Sequence, residues 1–98
     1  MRPLIDEARQ LEIMKLVGEE AWRELLDQFC LDAAWILEGL AADRGEESLR
    51  RSRHALTGLA ADFGFPRFAE LSRRAEADRL GTELALIRDR IFRSASFG

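Results

Sequence analysis

The sequence predicts an all-α domain, an antiparallel, up-and-down four-helix bundle with an extra short N-terminal helix. Three observations carry this. No run alternates apolar and polar residues as a strand would. The 98 residues include only two prolines. Apolar residues recur at i, i+3, i+4 and i+7 in several segments separated by short breaks.

The first predicted helix runs from about Pro3 to Leu16. Pro3 suits a first turn, and Asp6 and Glu7 complement the positive end of the helix dipole. Leu4, Ala8, Leu11 and Met14 form its stripe, and Gly18 is its stop. The second helix is the longest, about Glu19 to Ala42. Trp22, Leu25, Leu26, Phe29, Ala33, Ile36, Leu37 and Leu40 keep helical spacing. Leu31 and Trp35 fall roughly 180–220° from Trp22. The preferred reading packs them under the N-terminal helix; the alternative is an exposed apolar patch for a partner.

Asp43, Arg44 and Gly45 form a short connection to a third helix, about Glu46 to Phe63, with Glu46 and Glu47 in its first turn. Gly64 is placed to end it in the left-handed conformation. Pro66 opens the fourth helix, with Phe68, Leu71 and Ala75 facing inward. Gly81 and Thr82 are read as a turn, Thr82 as the N-cap of the last helix. Leu84, Ile87 and Ile91 give that helix its stripe, and Ser94–Gly98 is read as a frayed tail. No repeat, low-complexity segment or long linker divides the chain, so residues 1–98 are expected to form one domain.

Composition excludes several function classes. A net charge of −3, with basic residues interleaved among acidic ones, gives no electrostatic reason for nucleic-acid binding. No stretch approaches the ~20 apolar residues needed to span a bilayer. Charges at Arg2, Asp6, Glu7 and Arg9 leave no signal-peptide core. A cytoplasmic protein is expected. Cys30 is the single cysteine and reads as a small buried hydrophobe. One histidine and one cysteine do not make a typical zinc site, so no metal is expected. No glycine-rich loop follows a strand, and no nucleotide site or other cofactor is expected.

The lone histidine, His54, is the candidate functional residue. At 100° per residue, Leu49, Ser52, Leu56, Leu59, Ala60 and Phe63 cluster within about 60° of Leu56, and His54 lies about 160° away. Glu47, Arg50, Arg51, Thr57, Gly58 and Ala61 share its outer face. An unshielded imidazole keeps a free nitrogen lone pair at neutral pH and serves as a nucleophile. Gly58, one turn further on, costs roughly 0.5–1 kcal/mol relative to alanine in a helix interior. An outward-facing glycine there leaves room for a docking partner. Asp62 is too far round the helix to orient His54 as in a catalytic triad, and no catalytic constellation is expected.

The run His54-Ala55-Leu56-Thr57-Gly58, with Gly64 six residues further on, resembles the signature of histidine-containing phosphotransfer (HPt) domains. The order and length of the helices extend that resemblance over nearly the whole chain. It implies a phosphocarrier of a bacterial two-component phosphorelay, not an enzyme in itself, in which His54 exchanges a phosphoryl group with receiver-domain aspartates. The implied partner is the receiver domain of a response regulator or hybrid histidine kinase, with the chain itself a monomer. Gly58 and Ala61, with the Leu31–Trp35 patch, would meet that partner. Thr57 departs from the pattern, because the family usually has lysine there to help hold the phosphoryl group. Arg50 and Arg51 then become the phosphate-proximal cations, Arg50 the natural substitute, while Thr57 offers only a hydroxyl. The departure also leaves open a different class: a degenerate helical adaptor that binds a signalling partner without being phosphorylated.

Overall fold

In the computed structural model, residues 2–42, 45–74 and 77–96 are described. They form five helices: α1 (Glu7–Val17), α2 (Glu19–Ala42), α3 (Glu46–Asp62), α4 (Pro66–Arg73) and α5 (Ala77–Ser96). No strand occurs among them. Helices α2 to α5 close a ring, each packing on the next and α5 returning to α2, while α1 lies on α2. The short connections make sequential neighbours antiparallel. The fold is therefore the all-α bundle expected, with the short helix added at its side.

The α1 boundary differs from expectation. Pro3 is not in the helix, which begins only at Glu7, after Asp6 has capped it by accepting the Arg9 N–H at 3.1 Å. The preceding residues serve the turn between α3 and α4 instead. Asp6 donates its N–H to the Gly64 carbonyl at 2.9 Å, and the Pro3 carbonyl accepts the Arg67 N–H at 3.2 Å. Arg67 sits in the first turn of α4, where N–H groups have no partner in their own helix. The expected stripe shifts with the boundary. Ala8 and Leu11 are exposed, and Ile13 and Met14 lie against the core, as do Leu4 and Ile5 of the extended segment. Gln10 completes that inward face. Gly18 stops α1 at φ 92°, with its N–H on the Met14 carbonyl.

The centre of the core is aromatic. Phe29 of α2 is fully buried and stacks on Phe65 at 4.7 Å between ring centroids and on Phe63 at 5.5 Å, with Phe68 edge-on at 6.0 Å. Trp22, Leu26 and Ala33 extend this stripe along α2. Leu25, expected within it, is 37 % exposed at its margin. Leu31 and Trp35 do not pack under α1; they are 64 % and 77 % exposed. Both point away from the Trp22–Phe29–Ala33 stripe, and α1 covers neither.

The predicted break at Gly81 and Thr82 is absent. Helix α5 runs continuously through both residues. Leu80, Leu84 and Ile87 are buried on one stripe, so the two sides of Gly81 must stay in helical phase. Burying each such side chain is worth roughly 1.5–3 kcal/mol, which outweighs about 1 kcal/mol for a helical glycine. The Arg67–Glu83 ion pair, at 3.0 Å, ties this part of α5 to α4. Helix also continues through Ser94–Ser96, expected as a frayed tail; residues 97 and 98 lie outside the described set, as does Ala75, expected to face inward from α4.

Candidate functional site

Helix α3 presents two different faces. Leu56 and Ala60 are buried, and Leu49, Leu59 and Phe63 are partly buried beside them. His54 is exposed on the other side, together with Glu47, Arg50, Arg51, Gly58 and Ala61. The arithmetic of about 100° per residue therefore sorts this helix correctly. The helix ends at Asp62. Gly64 follows at φ 79°, the left-handed region expected of it.

Among the described residues no hydrogen bond or ion pair engages His54, Arg50 or Arg51. The ring nitrogens are thus open to solvent and to an incoming group. Two guanidinium groups stand one turn before them. A β-carbon added at Gly58 would meet nothing within 4 Å. The same holds for Gly39 and Gly81. Gly58 differs in lying one turn past His54 on the same face, so the surface beyond the imidazole is bare backbone and the methyl of Ala61.

Thr57 departs from its expected place. It is half-buried at the edge of the outer face, and its hydroxyl donates to the Arg53 carbonyl of its own helix at 2.7 Å. A threonine oxygen reaches the i−4 carbonyl easily, so the hydroxyl donor is taken up by the helix backbone.

Leu31 and Trp35 are both exposed on α2. Leu31, with Asp27 and Cys30 of α2, lines a groove against Arg88, Ile91 and Phe92 of α5. Cys30 sits half-buried in that groove, where burial pushes its thiol above the ordinary value against the opposing pull of Arg88. Phe92 and Arg88 have no counterpart in the sequence reading, because Phe92 lies next to the Ile87–Ile91 stripe and not on it.

Gln10 is the positioning residue that the sequence did not reveal. Its side-chain amide donates to the Phe63 carbonyl at 3.0 Å and to the Gly64 carbonyl at 3.3 Å. Nothing in the residue pattern marks a glutamine for a partner 53 positions away. Among the described residues, no helix is long and apolar enough to cross a membrane. Nor do three His, Cys, Asp or Glu residues gather there where they could hold a metal ion.

No protein-family model and no curated protein matches the chain. Among solved structures it is similar to histidine-containing phosphotransfer protein B (HptB) from Pseudomonas aeruginosa PAO1, with a TM-score of 0.82 and 22% sequence identity. The superposition covers 100% of this chain and 99% of that one. The chain has an HPt-like fold. All five helices fall within the HPt-like alignment, so α1 and the extended segment before it belong to the shared architecture.

Proposed function

We propose that this protein is a histidine phosphotransfer protein of a two-component phosphorelay, with His54 as the phosphoacceptor. One observation carries the reading: within an HPt-like bundle, the only histidine is exposed on the outer face of α3, in a His-x-Leu-x-Gly frame whose leucine is buried.

The chemistry needs little from the chain. A ring nitrogen lone pair attacks the phosphorus of an aspartyl phosphate on a receiver domain. The phosphorus–oxygen bond breaks, a phosphorus–nitrogen bond forms, and the aspartate leaves as a carboxylate. The ring is left as an imidazolium, which returns its remaining N–H proton to water. The receiver supplies the metal and the acid pocket, so the carrier acts without its own nucleotide or metal site. Gly58 and Ala61 let the receiver surface approach closely, and Arg50 and Arg51 offset about two negative charges brought by the phosphoryl group.

The test is incubation with phosphorylated receiver domains, followed by assay for acid-labile, base-stable phosphate at His54. Transfer supports the carrier reading, and no transfer from any receiver that binds the protein rejects it. One observation favours the second reading, a degenerate adaptor: Thr57 stands where the family usually has lysine, and its hydroxyl is turned to the Arg53 carbonyl. Receiver binding that is tight and indifferent to His54→Gln, with no phosphate transferred, is the outcome expected of an adaptor.

A further inference from the structure

The groove between α2 and α5 has an apolar floor and one charge of each sign on its rim. Leu31 of α2 and Phe92 of α5 line it and are 64 % and 73 % exposed, while Cys30 and Ile91 lie half-buried between them. Asp27 stands on the α2 side and Arg88 on the α5 side, both exposed. Burial is the main influence on the Cys30 thiol, and Arg88 and Asp27 act on it in opposite senses. The two charges therefore flank the same sulfur from different helices. No ion pair joins them, although Arg67 of α4 and Glu83 of α5 close across a helix boundary at 3.0 Å. Large apolar side chains exposed singly are ordinary; two that share one groove between opposite charges mark a surface that something covers.

We propose that a second copy of this chain covers the groove, in a two-fold symmetric dimer where Asp27 of each copy meets Arg88 of the other and Leu31 of each packs on Phe92 of the other. The charge pattern selects this occupant. A two-fold axis passing over Cys30 carries the α2 rim of one copy onto the α5 rim of the second. Each acidic position then meets a basic one, and each exposed apolar position meets another. An isologous contact requires such self-complementarity, and a rim of one sign would repel its own copy. The two Asp27–Arg88 pairs lie at the edge, where they set the register and respond to salt. The apolar side chains lie inside them and lose their remaining contact with water. The inference stands apart from the phosphotransfer reading, because His54 is carried by α3 and the groove by α2 and α5. It replaces the single-copy form that the family resemblance implies.

The experiment is analytical ultracentrifugation of the full chain from micromolar to millimolar concentration. The wild type is expected to show a reversible monomer–dimer equilibrium that weakens as salt is raised. Leu31→Glu and Phe92→Glu are each expected to leave a monomer, with circular dichroism melts checking that both stay folded. Asp27→Arg alone, and Arg88→Asp alone, set like charges against each other at both edges of the interface. Each is expected to weaken association roughly ten- to thirtyfold. Mixed in equal amounts, these two single variants are expected to form a heterodimer as tight as the wild-type dimer, because each edge again joins an acid to an arginine. Non-specific association through exposed apolar groups does not produce that recovery. A wild type that stays monomeric at every concentration overturns the inference. So does a dimer indifferent to Leu31→Glu and Phe92→Glu, or a pair of charge variants that fails to recover on mixing.

Discussion

The side-chain amide of Gln10 donates to the carbonyl of Phe63 across 3.0 Å, joining α1 to the turn that ends the His54 helix. The same amide reaches the Gly64 carbonyl, which also accepts the Asp6 N–H. Replacing Gln10 by alanine leaves the part-buried Phe63 carbonyl without this donor. Gln10→Ala is expected to lower stability by about 1–2 kcal/mol in chemical denaturation. Unchanged stability means that the bond is replaced by water at no cost.

His54→Gln is expected to melt within a few degrees of the wild type, because the side chain is exposed and carries no packing. It is expected to accept no acid-labile phosphate from a receiver that labels the wild type. Phosphate retained in the variant places the acceptor elsewhere.

The two glycines of the motif are expected to respond in opposite ways. Gly58→Leu adds a side chain into open space on a helix. It should hold or raise stability, by a few tenths to about 1 kcal/mol, and weaken receiver docking. Gly64→Ala forces a β-carbon at φ 79° to within 2.8 Å of the Gln10 Cγ and 3.3 Å of the Asp6 carbonyl oxygen. It is expected to cost about 1–3 kcal/mol and leave the docking face intact. Thermal melts and receiver titrations of both variants check the pair together, and strong destabilisation by Gly58→Leu counts against a docking role.

Arg50→Ala is expected to shift phosphate from His54 to the receiver by up to about fivefold, since an exposed charge-assisted contact is worth roughly 1 kcal/mol or less. Thr57→Lys is expected to shift it back. The substitution gives up only a hydroxyl bond to the helix's own backbone, which contributes little to helix stability. Equal phosphohistidine-to-phosphoaspartate ratios in wild type and both variants mean that neither position senses the phosphate.

Phe29→Ala removes the ring on which Phe63, Phe65 and Phe68 converge. A loss of about 3–5 kcal/mol is expected, a large part of the 5–15 kcal/mol that holds a typical domain together. Denaturant midpoints of the purified variant measure it.

Most of the fold was legible because the stripes of α2 and α3 are long and regular. The spacing of Trp22, Phe29 and Ala33, or of Leu56, Ala60 and Phe63, leaves little choice about which side is buried. His54 was legible for the same reason, as the residue facing away from Leu56. What failed was local punctuation. Pro3 looked like a helix start, but its carbonyl is used by Arg67 of α4, a tertiary demand that no neighbouring residue reveals. Gly81 looked like a break, but the buried stripe on both sides holds the helix together. Thr57 was placed on the outer face by its angle and credited with an available hydroxyl, but that hydroxyl is taken by the Arg53 carbonyl. Leu31 and Trp35 were correctly set apart from the stripe, yet the preferred cover over them is missing, because α1 turns its Gln10 face to the α3–α4 corner.

The contrast between Gly58 and Gly64 has a bearing on descent. A β-carbon at Gly58 meets open space, whereas one at Gly64 meets Gln10 and Asp6 of the chain itself. A lineage released from its phosphate donor would be free to drift at His54 and Gly58 and would still be held at Leu56 and Gly64. The two glycines thus answer to different constraints, one to the chain's own fold and the other, on the phosphotransfer reading, to a visitor.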